Sequence, residues 1–147
     1  MSVVVRKAKQ ADVLGMQKQF AQVGLPQEDL DEVWRNFIIA EGEDESILAT
    51  VGIVPVQEDA MLRSLVIDGQ RVSSTFVLEF LEAAIAYAKQ EQYRQLYLFT
   101  KGQASLFLKT GFELLERENI PQHIKETTHY QQHEEEDIKV CVCSLTS

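Results

Sequence analysis

The residues whose types and spacing can do chemistry cluster where an apolar run becomes a helix. Leu62 through Ile67 are almost unbroken apolar residues, and Asp68-Gly69-Gln70 stops them. Val77, Phe80, Leu81, Ala84, Ile85 and Ala88 then recur on one helical face, with Glu79, Glu82 and Lys89 off it. A strand that feeds a helix through a short turn aims backbone N–H groups and the positive end of the helix dipole at one spot. That spot is a seat for phosphate. Other reactive residues carry weaker patterns. Cys141 and Cys143 sit two apart in an alternating stretch, which places both on one face of a strand, reduced and packed; Cys-Val-Cys lacks the two-residue spacer of metal and redox pairs. His123, His129 and His133 are spaced by six and four without a supporting carboxylate pattern, so they read as surface residues and no metal site is expected. The run Glu134-Glu135-Glu136-Asp137 reads as a solvated loop.

The elements that must position this turn follow from periodicity. Val3–Val5 begins a strand that Arg6–Gln10 leads out of. Val13, Met16, Phe20 and Val23 mark a helix stopped by Gly24 and Pro26, and a second helix over 27–36 turns Leu30, Val33 and Trp34 inward. Strands over 37–40 and 47–56 flank an acidic turn, and Gln57–Ala60 turns the chain into the central strand. After the long helix come a strand over 96–100, a short helix over 103–109 closed by Gly111, and a strand from Phe112. The polar stretch 116–137 reads as a loop with one helical turn after Pro121, and Ile138, Val140 and Val142 belong to the last strand.

A chain of 147 residues with 45% apolar and 25% charged residues is expected to fold as one soluble α/β domain over residues 1–147 without staples. No apolar run reaches membrane-spanning length, and the N-terminus lacks the marks of a signal peptide, so the expected place is the cytoplasm. A formal charge of −9 argues against a nucleic-acid surface. A homodimer is compatible with the sequence.

The order of elements, together with L-R-S-L-V-I-D before the helix and A-S-L-F-L-K-T-G-F after the next strand, resembles the GNAT superfamily of acyl-CoA-dependent N-acetyltransferases. L-Y-L-F-T and the later N-I-P are most similar to small amino-acid acetyltransferases of the acetylglutamate-synthase type and to arsenic-resistance-type relatives. The resemblance implies an α/β (α+β) GNAT-like domain with a mixed, mostly antiparallel, twisted sheet of about six to seven strands. Helices would cover both faces, and two central parallel strands would splay to admit acetyl-CoA as co-substrate. Leu65, Val66 and Ile67 would pair with the pantetheine arm as a peptide-like chain adds to a strand.

The sequence departs from the family pattern at two places. Where the family carries Arg-Gly-x-Gly-x-Gly or Ala for the pyrophosphate, this chain has Val72-Ser73-Ser74-Thr75-Phe76-Val77, with Arg71 one position early. Backbone N–H groups still suit phosphate, the Ser73, Ser74 and Thr75 hydroxyls offer further donors, and Arg71 offers charge. The same Ser-Ser-Thr is equally a helix cap. Where many members place a Tyr that protonates the departing thiolate, this chain has Phe107, which cannot donate.

Acetyl transfer to an amine also implies a base. Glu58 and Asp59 stand at the mouth of the central strand as candidates, although such carboxylates are most often solvated turn residues. Arg63 would clamp a substrate carboxylate or pair with a neighbouring acid, and Glu28 and Asp29 would contact substrate or merely favour a helix dipole. The expected function is transfer of an acetyl group from acetyl-CoA to the amine of a small molecule, an amino acid or related metabolite being one such acceptor. The alternative is a catalytically impaired GNAT-fold protein that serves as a binding or regulatory module.

Overall fold

The computed structural model describes residues 3–24, 30–69, 72–101, 104–133 and 138–146. Its strands are β1 (Val4–Lys7), β2 (Phe37–Glu41), β3 (Ile47–Val56), β4 (Asp59–Ile67), β5 (Gln95–Thr100), β6 (Glu113–Leu115) and β7 (Lys139–Ser144). Its α-helices are α1 (Val13–Gln22), α2 (Leu30–Val33), α3 (Ser74–Gln90), α4 (Ser105–Leu108), α5 (Gln122–Lys125) and α6 (Thr128–His133). The strands form one seven-stranded mixed sheet in the order β1-β2-β3-β4-β5-β7-β6, with β4 and β5 parallel and β1–β2, β2–β3, β5–β7 and β6–β7 antiparallel. That is the α/β class and strand number the sequence predicts.

The chain divides into two compact units, the first made of Met1–Ile53 and Arg63–Ala84 and the second of Val54–Leu62 and Ile85–Ser147. In the first, Val13, Met16 and Phe20 on one face of α1 pack with Leu30, Phe37, Ile39 and Val66. Val23, expected on that face, lies past the helix end and is exposed, because the helix stops one residue earlier. β1 is longer than its three valines suggest. Arg6 stays in the strand, donating to Asp12 at 2.8 and 3.0 Å and to Glu41 at 2.6 and 2.9 Å, so its charge is neutralised at the sheet edge.

In the second unit, Met61, Tyr97, Ile120, Ile124, Tyr130 and Val140 form the core. The segment after β6, read as a loop with one helical turn after Pro121, has that turn as α5 and adds a 3₁₀ turn over Arg117–Asn119 and the helix α6. Three buried residues, Ile120, Ile124 and Tyr130, hold it to the sheet, and their tertiary burial outweighs the polar composition between them. Cys141 and Cys143 are buried free thiols on β7, and burial pushes both thiol pKa values up. Among the described residues no helix is long and apolar enough to cross a membrane, and no group of three or more His, Cys, Asp or Glu is placed to hold a metal ion.

Candidate acetyl-CoA site

β4 changes character along its length. Asp59 through Leu62 are buried, whereas Arg63, Ser64, Leu65 and Ile67 are half-exposed and Val66 alone turns into the core. The change falls beside Ser64, whose φ of 56° lies in the left-handed region that side chains resist. A single left-handed residue breaks the pleat and re-aims the strand beyond it. Its hydroxyl accepts a 3.3 Å hydrogen bond from Arg63 Nε. Gly52 of β3 allows the Arg63 stem to come close, since a Cβ there would stand 3.2 Å from Arg63 Cγ and 2.9 Å from the Phe37 ring. β4 then closes against β3 through the Asp68 N–H donating to the Leu48 carbonyl at 2.9 Å.

At the helix entry the Ser73 hydroxyl accepts a hydrogen bond from the Phe76 N–H at 3.2 Å, and the Val77 N–H donates to the Ser73 carbonyl at 3.2 Å. Ser73 is therefore the N-cap of α3, in the side-chain role that serines favour there. Ser73, Ser74 and Thr75 are exposed, and Val72, Phe76 and Val77 half-exposed. Val72, Ser73, Thr75 and Phe76 line a cleft of about 620 Å³ together with Val3, Val5, Glu79 and Phe80. Phe76 and Phe80 stack one turn apart, ring centroids 6.2 Å and planes 6° from each other, which stiffens that wall. Arg71, Glu28, Asp29 and the acidic run at 134–137 lie outside the described residues.

The remaining candidates belong to the second unit. Phe107 is half-buried on α4 with its ring edge-on to Phe112, centroids 6.4 Å apart, and the chain turns back at Gly111 with φ 105°. The Thr110 hydroxyl donates to the Phe107 carbonyl at 2.8 Å. The carboxylates expected in a turn part company. Glu58 is exposed and accepts from Arg94 at 3.0 Å. Asp59, by contrast, is the first residue of β4 and buried: Oδ1 accepts from the Gln95 N–H at 3.1 Å, and Oδ2 lies 2.6 Å from His123 Nε2.

Two of the histidines, His123 and His129, differ from their surface reading and are half-buried. His123 ties α5 to β4 through Asp59. His129 stacks on Phe99 of β5, centroids 5.1 Å and planes 19° apart, and the Tyr130 ring meets Phe99 edge-on with centroids 5.7 Å apart. The sequence offered one sign of both: each histidine stands next to a buried apolar residue, Ile124 or Tyr130, in an otherwise polar stretch.

The fold has counterparts among solved structures. An N-acetylglutamate synthase from Neisseria gonorrhoeae, complexed with coenzyme A and N-acetyl-glutamate, superposes over 100% of this chain with a TM-score of 0.81 at 14% identity. Rv2747 from Mycobacterium tuberculosis, in complex with CoA, covers 97% of this chain and 99% of its own, with a TM-score of 0.78 at 15% identity. A GNAT-family acetyltransferase from Staphylococcus aureus Mu50 covers 99% of this chain and 100% of its own, with a TM-score of 0.71 at 15% identity. The chain has the GNAT fold. It spans only 36% of the length of the Neisseria synthase. No protein-family model matches the sequence, and no curated protein matches it at the level of sequence. The GNAT fold is thus legible in the backbone where sequence similarity alone is too faint to carry it.

Proposed function

We propose that this protein is an acetyl-CoA-dependent N-acetyltransferase that acts on the amine of a small molecule in the cytoplasm. The observation that carries the reading is the change in β4 at Ser64, where φ turns positive and burial gives way to half-exposure: beyond it Leu65, Val66 and Ile67 lead toward a helix N-terminus with exposed hydroxyls. A strand edge followed by a helix N-terminus suits a pantetheine arm followed by a pyrophosphate. Val72, Ser73, Ser74, Thr75, Phe76, Val77 and Arg71 complete the proposed phosphate end, and Phe107 stands at the position of the thiolate's proton donor. The neutral amine attacks the thioester carbon, the C–N bond forms, the C–S bond breaks, the nitrogen gives up one proton to water, and the thiolate takes one from water because Phe107 has none to give. Rate acceleration comes from positioning and from backbone N–H groups polarising the carbonyl. The acidic surface suits amine acceptors and not nucleic acid, and the proposal includes no membrane, no metal and room for a homodimer. Isothermal titration with acetyl-CoA and CoA tests it; absence of binding at millimolar ligand ends it.

A second reading, a GNAT-fold binding module without catalysis, is favoured by the Ser73 cap and by Phe107. The Phe76 N–H that a phosphate would seek already has an acceptor, and the glycines that let phosphate approach are replaced by side chains. Under this reading Val72→Arg combined with Ser73→Gly, Thr75→Gly and Val77→Gly creates CoA affinity that the parent lacks. Steady acetyl-CoA consumption by the parent with any amine rules it out.

A further inference from the structure

The first unit holds a second cleft, of about 720 Å³, with α1 on one side and the β2–β3 turn and the end of β4 on the other. Its lining runs from Ala11, before α1, to Val23, past its end, so it follows all ten residues of the helix, about 15 Å at 1.5 Å per residue. Small residues open it. Ala11 and Gly15 stand one turn apart on the lining face, and a Cβ at Gly15 would come within 3.1 Å of Ile47 Cδ1. Most polar groups along the cleft are matched: Asp12 accepts from Arg6 and the Lys9 N–H, the Ser46 hydroxyl donates to Asp44, and Asp68 is also engaged. Gln19 is matched at one end. Its Nε2 donates to the Ile47 carbonyl at 3.4 Å, which can only accept, while its buried Oε1 has no hydrogen-bond partner among the described residues. A buried acceptor without a donor is costly, so the cleft calls for an N–H. Lys18 on α1 is the one cation of the lining among the described residues, and Glu45 is a carboxylate on the opposite wall; neither ion-pairs among the described residues. The backbone fixes Glu45 at φ 63°, its N–H donating to the Gly42 carbonyl at 3.0 Å and the Gly42 N–H to the Ser46 carbonyl at 2.9 Å.

We propose that this cleft binds a short oligopeptide with free termini, about four or five residues long in extended form. At about 3.3 Å per residue such a chain matches the length of α1. One of its backbone N–H groups meets Gln19 Oε1, since the last torsion of a glutamine is soft enough to turn that oxygen toward the cleft. Its ammonium end pairs with Glu45 and its carboxylate end with Lys18, two charge-assisted contacts of opposite sign. Ile47 and Ile67, both half-buried, offer apolar wall to its side chains. A simple cation would leave Lys18 opposed, a simple anion would leave Glu45 opposed, and a single amino acid is too short to follow the helix. The site is built from the first unit alone and takes no part in acetyl transfer.

The test uses the isotope-labelled full chain without CoA, and tetraglycine as the probe. At millimolar peptide the backbone amide resonances of residues 45–47 and 67–69 and the side-chain amide of Gln19 should shift. The Kd should rise at least about tenfold in Gln19→Leu, which removes the acceptor, and in Ala11→Trp, which fills the cleft from an exposed position and leaves the core intact. Unchanged resonances in β5 and β7 show that both variants are folded. Tetraglycine blocked at both ends should bind about tenfold more weakly than the free peptide, and Lys18→Ala should weaken the free peptide while leaving the blocked one unchanged. Absence of shifts at the cleft, equal affinity in Ala11→Trp or Gln19→Leu, equal affinity of free and blocked peptide, or binding of glycine or spermidine as tight as that of tetraglycine each overturns the proposal. Because CoA is left out, failure here and failure of the acetyltransferase reading are separate results.

Discussion

Ser73 carries two meanings in one hydroxyl. It caps α3 through the Phe76 N–H, so a pyrophosphate must exchange with that bond to reach the same donor. Ser73→Ala should cost about 1 kcal/mol of stability, the usual worth of a serine cap, read as a lower urea midpoint at constant m-value. Arg6 and Asp12 make a comparable statement about pH. Asp12 is held below its ordinary value of 3.8 chiefly by the side-chain hydrogen bond from Arg6; burial, the next largest effect, opposes this, and the Lys9 N–H adds to the lowering. A depressed carboxylate stabilises the folded state above its unfolded pKa and loses that contribution as pH falls through the folded one. Unfolding midpoints measured from pH 6 down to pH 2 should therefore decline most below about pH 4, and Asp12→Asn should flatten that decline.

Elements show where a sequence is readable and where it is not. The face of α3 was legible because Phe80, Leu81, Ala84, Ile85 and Ala88 repeat at helical spacing and all five are buried. The GNAT resemblance rested on element order and on short motifs, and the backbone has that order from β1 to β7. Asp59 was not legible: a carboxylate after Gln57-Glu58 looks solvated until β5 brings the Gln95 N–H and α5 brings His123 to it. Those partners lie 36 and 64 residues away. α6 was missed because its helix depends on packing more than on propensity. Two substitutions probe these elements. Ile124→Ala, in a fully buried position, should cost about 2–5 kcal/mol in denaturant unfolding by leaving a cavity under α5. Gly52→Ala should cost about 1–3 kcal/mol, because its Cβ would stand 2.9 Å from the fully buried Phe37 ring, which cannot withdraw.

On the scale of the whole molecule, a charge of −9 and a GNAT fold set opposing demands. The net charge attracts amines and repels the phosphates of CoA, so weak binding at low salt should improve as salt screens the repulsion. That trend is the reverse of the one expected for a basic phosphate site. If acetyl-CoA binds, thermal unfolding should rise with its concentration, the gain reaching about 2.7 kcal/mol at a hundred times Kd.

The two thiols of β7 have a use beyond packing. Cys141 and Cys143 sit on an inner strand between β5 and β6, buried and with their pKa values raised, so a colourless thiol-reactive dye can reach them only when that ladder parts. With excess dye, the colour that develops under native conditions times the opening of one stretch of the sheet, residue by residue absent from any engineered label. The protein carries its own stopwatch, and His123→Ala, which unties α5 from Asp59, should make it run faster while leaving the unreactive interval of a merely frayed terminus unchanged.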